Sequence, residues 1–209
     1  MKVEVLPVTP FQQNCSIIVC EKTNKAAIVD PGGEVDRITA KLAELGIDAE
    51  KILITHAHID HAGGTADLAE ALNLPIEGPH REDQFWIDKL ADQSRMFQFP
   101  EAKPFSPSRW LEQGDEVQVG ELNFEVRFCP GHTPGHVVFI NHDHKLIWVG
   151  DVLFRGSIGR TDFPRGDHPT LIQSIKENLL SLPDDYQFIS GHGPISSIGV
   201  ERQSNPYIQ

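Results

Sequence analysis

The sequence predicts an α/β chain in which helices cover the faces of β-sheet, and two observations carry that prediction. Short apolar runs of strand length, bounded by turn-forming residues, alternate with segments of helical periodicity. The pattern occurs twice, once on either side of a proline-bearing stretch at 97–110. Periodicity alone leaves a doubly wound sheet and a sandwich of two helix-covered sheets both open. The 209 residues suffice for one sizeable core, so a single domain over 1–209 is expected.

In chain order, Ser16-Ile17-Ile18-Val19-Cys20 and Ala26-Ala27-Ile28-Val29 read as strands joined by a turn at 21–25. Asp30-Pro31-Gly32-Gly33 ends the second run, and Val35, Ile38, Leu42 and Leu45 fall at helical spacing with Gly46 as the stop. Lys51 to Thr55 reads as a strand, and the Gly63-Gly64 pair opens a helix through Ala66 to Leu72. Arg81 to Arg95 reads as one helix. Phe97 to Trp110, with three prolines, reads as an irregular loop. Glu116 to Cys129 alternates as a hairpin about Gly120-Glu121. Val137 to Ile140 and Leu146 to Val149 make a further strand pair, Pro169 to Leu182 a helix, and Phe188-Ile189-Ser190 a last short strand.

Composition narrows the function classes. Hydrophobic content of 39% and charged content of 23% suit a soluble globular chain, and no apolar run approaches a membrane span. Met1 to Pro7 lacks the apolar centre of a signal peptide, so a cytoplasmic location without membrane attachment is expected. Cys15, Cys20 and Cys129 form no Cys-x-x-Cys pair and read as buried thiols, not a disulfide framework. Thirty acidic residues against 18 basic give a net charge of −12, which argues against nucleic acid as a partner. Oligomeric state is left open.

The ten histidines are unevenly placed. Thr55-His56-Ala57-His58-Ile59-Asp60-His61 puts three histidines and an aspartate directly after a strand. Imidazole and carboxylate suit zinc, iron or manganese, and the lack of cysteine argues against a structural zinc knot. A lone histidine is more often structural than a ligand, but four ligand-type residues at this spacing point to metal. An extended loop lets His56 and His58 point one way, while Asp60 and His61 turn toward a neighbouring position. His132, Asp151 and His192 each follow a later apolar run and adjoin glycine, so they complete the candidate set. Five histidines and two aspartates are too many for one tetrahedral ion and suit two ions sharing a carboxylate.

His-Ala-His-Ile-Asp-His at 56–61, Pro-Gly-His-Thr-Pro-Gly-His at 130–136, Gly-Asp at 150–151 and Gly-His-Gly at 191–193 resemble the metallo-β-lactamase superfamily across the whole chain. Within it the sequence is most similar to the glyoxalase II-like hydroxyacylglutathione hydrolases of the short bacterial YcbL type. Asn14-Cys15, Asp30-Pro31-Gly32-Gly33, Ser94-Arg95-Met96-Phe97 and Asp162 to Asp167 carry that likeness. The resemblance implies a four-layer αββα sandwich and two divalent metal ions, zinc first, with iron or manganese as alternatives. It implies His56, His58 and His132 on the first metal, Asp60, His61 and His192 on the second, and Asp151 bridging. His136 and Asp30 are implied to support ligands without being ligands. No role is expected for His80, His142, His144 or His168.

The chemistry implied is hydrolysis of a small-molecule thioester of the S-lactoylglutathione kind. Two cations lower the pKa of a shared water, and the resulting hydroxide attacks the acyl carbonyl. Asp60 and Asp151 are the implied catalytic carboxylates, both as metal holders, with Asp60 also orienting the nucleophile. Arg160, nine positions past Asp151, aligns with a glutathione-contacting base and can fork onto a carboxylate, or instead pair with Asp162 or Asp167. Asp162 and Pro194 stand where aromatic residues are usual, and the 17 residues after His192 are too few for the helical extension of larger glyoxalase II enzymes. Gly159 to Phe163, Glu201-Arg202 and Asn205-Pro206 are also similar to persulfide dioxygenases, which would use one iron on His56, His132 and Asp151. The Gly191-His192-Gly193-Pro194 pattern favours the hydrolase.

Overall fold

A computed structural model describes residues 1–208 and resolves the choice between sheet architectures: there are two sheets, face to face. The first has the order β1 (Lys2–Val8), β2 (Gln13–Cys20), β3 (Lys25–Val29), β4 (Asp48–Leu53) and β5 (Ile76–Glu77). The second runs β13 (Ser196–Ser197), β12 (Gln187–Ser190), β9 (Leu146–Gly150), β8 (Val137–Asn141), β7 (Leu122–Phe128) and β6 (Glu116–Val119). Strands β10 (Leu153–Phe154) and β11 (Ser157–Ile158) form a separate small hairpin.

The period-2 pattern sorts side chains into layers. In β2, Ile17 and Val19 pack outward with Ile38 and Leu42 of helix α1 (Val35–Leu45) and Leu68 of α3 (Thr65–Leu72). Ile18 and Cys20 of the same strand pack inward, against Val119, Phe124 and Phe139 of the second sheet. In β8, Val137 and Phe139 join this inter-sheet core, whereas Val138 and Ile140 face Leu171 of α6 (His168–Ser174). Helix, sheet, sheet, helix: the sandwich is four layers deep.

Several expected elements take a different form. Gly46 does end α1, in the left-handed region at φ 62°, its N–H closing on Leu42 and Ala43 carbonyls. The segment read as one helix over 81–95 is instead a 3₁₀ turn (Arg81–Asp83), α4 (Gln84–Ile87) and α5 (Leu90–Phe97). The last helix is shorter than its pattern, α6 passing into a π turn over Ile175–Leu179. Asp60 and His61, expected to turn away from the extended 56–58 run, do so on a single helical turn, α2 (Ile59–Ala62). Strand β1 and helix α7 (Ile198–Ser204) have no counterpart in the sequence reading. The stretch after α5 is irregular as expected but anchored, with Ala102 and Phe105 buried in the outer core.

Parallel pairing positions the site. β3 with β4, and β9 with β12, run parallel, so their C-terminal ends open at one edge of the sandwich. There lie Asp30, the 55–61 segment, Asp151 and His192. Cys15, Cys20 and Cys129 are free and buried, and no described helix is long and apolar enough to cross a membrane.

Phe124 is fully buried between the sheets, edge-on to Trp148 at 5.7 Å. Phe124→Ala is expected to lower unfolding free energy by about 3–5 kcal/mol, measured by urea denaturation.

Candidate metal centre

The segment 55–61 is pinned from behind before any ligand is considered. Asp30, buried with φ 51°, accepts from Thr55 N (2.7 Å) and Thr55 Oγ1 (2.6 Å) through its two carboxylate oxygens. Ala57 N donates to Asp83 (2.9 Å), and Ile59 N to Gln93 (3.0 Å). With Val137 N of β8 donating to the Thr55 carbonyl (2.9 Å), these bonds satisfy backbone groups of a buried loop.

The same set of acceptors orients the imidazoles. His61 Nδ1 lies 2.9 Å from Asp30 Oδ2 and His56 Nδ1 3.1 Å from Thr55 Oγ1, whose own proton goes to Asp30. His132 Nδ1 meets the Arg160 carbonyl at 2.7 Å, and His192 Nδ1 the Phe11 carbonyl at 3.1 Å. With Nδ1 facing these oxygens, Nε2 is the ring nitrogen turned to the pocket, the one that binds a cation once it carries no proton.

Those nitrogens converge. His56, His58 and His132 each place a ligand-type atom within 4.8 Å of the others, as do Asp60, His61 and His192. Asp151 stands between the groups: Oδ1 is 3.2 Å from His61 Nε2, and Oδ2 is 3.7 Å from both His132 Nε2 and His192 Nε2. Asp60 Oδ2 is 3.0 Å from His192 Nε2. The Nε2 atoms of His56, His58, His61 and His132 and Oδ1 of Asp151 are buried without a hydrogen-bond partner among the described residues. An orphaned buried polar atom costs about 1–3 kcal/mol, so five in one pocket fit a cation cradle and nothing apolar.

Charge in the pocket points the same way. Burial, reinforced by neighbouring imidazoles, holds His56 and His58 well below the usual imidazole range, so both stay neutral. Burial opposes charge on His61 too, but Asp151 and Asp60 outweigh it and raise its affinity for a proton. Burial would raise Asp151, yet the His61, His132 and His192 rings hold its carboxyl well below the carboxylate range. The two aspartates draw positive charge inward.

Backbone makes room for this crowding. A Cβ on Gly191 would sit 2.1 Å from Asp151 Oδ1, and one on Gly150, at φ 49°, 2.6 Å from His136 Nε2. His136 accepts from Asp151 N (3.1 Å) and stacks on His56 at 4.6 Å, supporting two cluster members. All seven residues singled out at 56–61, 132, 151 and 192 therefore meet in one pocket. Arg160 sits at the rim, about two-thirds exposed, its guanidinium forked onto Asp162 (2.9 and 2.7 Å) and stacked on Phe163. Its carbonyl, which orients His132, is a contribution that no motif announces.

Above the cluster opens a cavity of about 790 Å³. His58, Asp60, His132, Asp151 and His192 belong to its lining, together with Phe11, Trp86, Phe97 and Phe163. The arrangement can hold cations at the floor of an apolar-walled cleft open to a small molecule.

The metallo-β-lactamase superfamily model matches residues 8–192. The chain belongs to that superfamily. Among its superfamily relatives, hydroxyacylglutathione hydrolase GloC of Haemophilus influenzae is 46% identical over all of this chain and 98% of its own length. A crystal structure of TTHA1623 in a di-iron-bound form superposes with a TM-score of 0.89 at 36% identity, covering 98% and 99% of the two chains. ETHE1 from Myxococcus xanthus follows with a TM-score of 0.82 at 27% identity, over 99% of this chain and 84% of that one.

In this member of the superfamily, a buried carboxylate outside the metal motifs joins the two halves of the site. Asp83 accepts from Ala57 N, from Thr133 Oγ1 (3.0 Å) and from Gly135 N (2.6 Å), tying the 55–61 segment to the 132–136 loop. Burial pushes its carboxyl up to about 7 against these three donors. Asp83→Ala strands three donors and is expected to cost about 2–4 kcal/mol in chemical denaturation, with metal content of the purified protein falling alongside.

Proposed function

We propose that this metallo-hydrolase is a thioesterase for S-acylglutathione substrates of the S-lactoylglutathione type. One observation carries the reading: four bare imidazole nitrogens and two aspartates converge at the floor of an open cavity. His56, His58 and His132 would hold one divalent ion, Asp60, His61 and His192 a second, with Asp151 shared. Such ions supply a strong local positive charge and lower the pKa of bound water toward neutrality. Zinc and iron both suit this nitrogen-and-oxygen donor set.

The rest falls to the chain's own groups. His61, His132 and His192, their Nδ1 protons held by Asp30, Arg160 and Phe11 oxygens, present Nε2 without rotating. Asp60, lining the cavity and pinned beside His192, orients the attacking water. Phe11, Trp86, Phe97 and Phe163 exclude bulk water around the acyl group. Attack forms a C–O bond and breaks the C–S bond, and a thiolate leaves with a pKa of roughly 8.5, so no protein proton donor is required. The likeness to GloC supports this substrate class.

The likeness to ETHE1 supports a second reading, persulfide oxidation on one iron held by His56, His132 and Asp151. Elemental analysis of gently purified protein separates the two: the thioesterase predicts close to two equivalents of Zn, Fe or Mn, the alternative about one of iron with oxygen uptake on glutathione persulfide. Asp151→Ala is expected to reduce thiol release from S-lactoylglutathione by about 10³-fold or more. Robust turnover by that variant would end the proposal.

A further inference from the structure

Most lysine and arginine side chains of this acidic protein pair with a carboxylate, including Lys25 with Asp48, Lys51 with Glu77, Arg127 with Glu125 and Arg160 with Asp162. Among the described residues Arg81, Lys89, Arg155, Arg165 and Lys176 form no such pair, and three of these five, Lys89, Arg155 and Arg165, stand at or beside the cavity. Lys89 and Arg155 line it. Lys89 and Arg165 lie over the ring of Phe85, itself part of the lining, at 4.5 and 4.1 Å. Asp92, a lining carboxylate apart from the metal cluster, is taken by Arg95.

Arg155 is also held in place. It occupies the turn of the β10–β11 hairpin next to Gly156, whose φ of 71° reverses the chain. Gly156 N donates to Glu201 Oε2 (2.8 Å), and Asn205 Nδ2 donates to Ser157 O (3.0 Å) and to the same Glu201 oxygen (2.9 Å). Glu201 is fully buried, its other oxygen taken by Ser196 Oγ. A fully desolvated carboxylate is an expensive way to fix a surface hairpin. It is intelligible if the turn must present its guanidinium accurately. The segment around Glu201 and Asn205 thus has work here that the metal pocket does not require.

We propose that Arg155, with Lys89 and Arg165, forms an anion subsite at the cavity mouth that takes a carboxylate at the far end of the thiol portion of the substrate, and that Glu201 is its positioning residue. This deepens the thioesterase reading and rests on it for the identity of the bound molecule. A guanidinium forks onto a carboxylate through two parallel N–H groups, and the absence of a resident partner leaves that fork available.

The test compares the metal-loaded enzyme and variants on S-lactoylglutathione, on neutral S-lactoyl-N-acetylcysteamine and on acetyl-coenzyme A. Arg155→Ala is expected to raise KM for S-lactoylglutathione about tenfold with kcat nearly unchanged, and to leave the neutral thioester unaffected. Glu201→Gln is expected to shift KM in the same selective way and to add little in the double variant. Equal losses on charged and neutral thioesters overturn the subsite, and a loss confined to acetyl-coenzyme A overturns the carboxylate in favour of phosphate. If neither lactoyl thioester is hydrolysed, the thioesterase reading falls. The subsite is then decided by S-hexylglutathione binding in calorimetry, where unchanged affinity in Arg155→Ala, or no binding by the parent protein, overturns it.

Discussion

The protein depends on buried hydrogen bonds that settle imidazole tautomers in advance. His56, His61, His132 and His192 each give Nδ1 to an oxygen behind the ring, through Thr55, Asp30, Arg160 and Phe11. Were one of these acceptors lost, the ring could carry its proton on Nε2 and face the pocket with a donor in place of a lone pair. Asp30 is the most consequential, since one carboxylate serves the Thr55 N–H, the Thr55 hydroxyl and the His61 ring. Its left-handed backbone at φ 51° is strain the surrounding structure tolerates for that geometry.

This arrangement explains why two sheets are needed. Asp30 and the 55–61 segment follow strands of the first sheet; Asp151 and His192 follow strands of the second. A cluster with atoms 3–4 Å apart across that divide tolerates little sliding of one sheet over the other. The inter-sheet core of Phe124, Phe139, Trp148 and their neighbours sets the spacing, and Asp83 ties loop to loop at the open edge. Orphaned nitrogens cost stability in the bare protein, so this packing must offset a deficit concentrated where function lies.

Much of this was legible before any coordinates. The dense run at 56–61 is local in sequence, and local spacing survives folding. The strand-end positions of His132, Asp151 and His192 followed from apolar runs, and for Asp151 and His192 the parallel β9–β12 pair gathers the two C-terminal ends. What was illegible is non-local or ambiguous in pattern. Asp83 looks like any polar residue of an amphipathic helix until Ala57, Thr133 and Gly135 are seen around it. Edge strand β1 alternates Lys2 and Glu4 with Val3 and Val5 and lacks the continuous apolar run that marked its neighbours. The break at 88–89 between α4 and α5 carries neither glycine nor proline, so tertiary packing of Trp86, Ile87 and Leu90 decides it. Arg160 shows the limit of motif transfer, since the side chain pairs with Asp162 while the backbone oxygen serves the site.

Charge adds a constraint that net composition hides. A chain at −12 repels an anionic substrate at long range. Over a screening length of about 8 Å at physiological ionic strength, however, only nearby groups matter. Near the mouth these are Lys89, Arg155 and Arg165, unpaired with acids among the described residues, against the mutually neutralised Arg160–Asp162 and Arg95–Asp92 pairs. Most other cations are paired with acids, so three unpaired cations beside one cavity give an incoming carboxylate partners there that net composition does not announce.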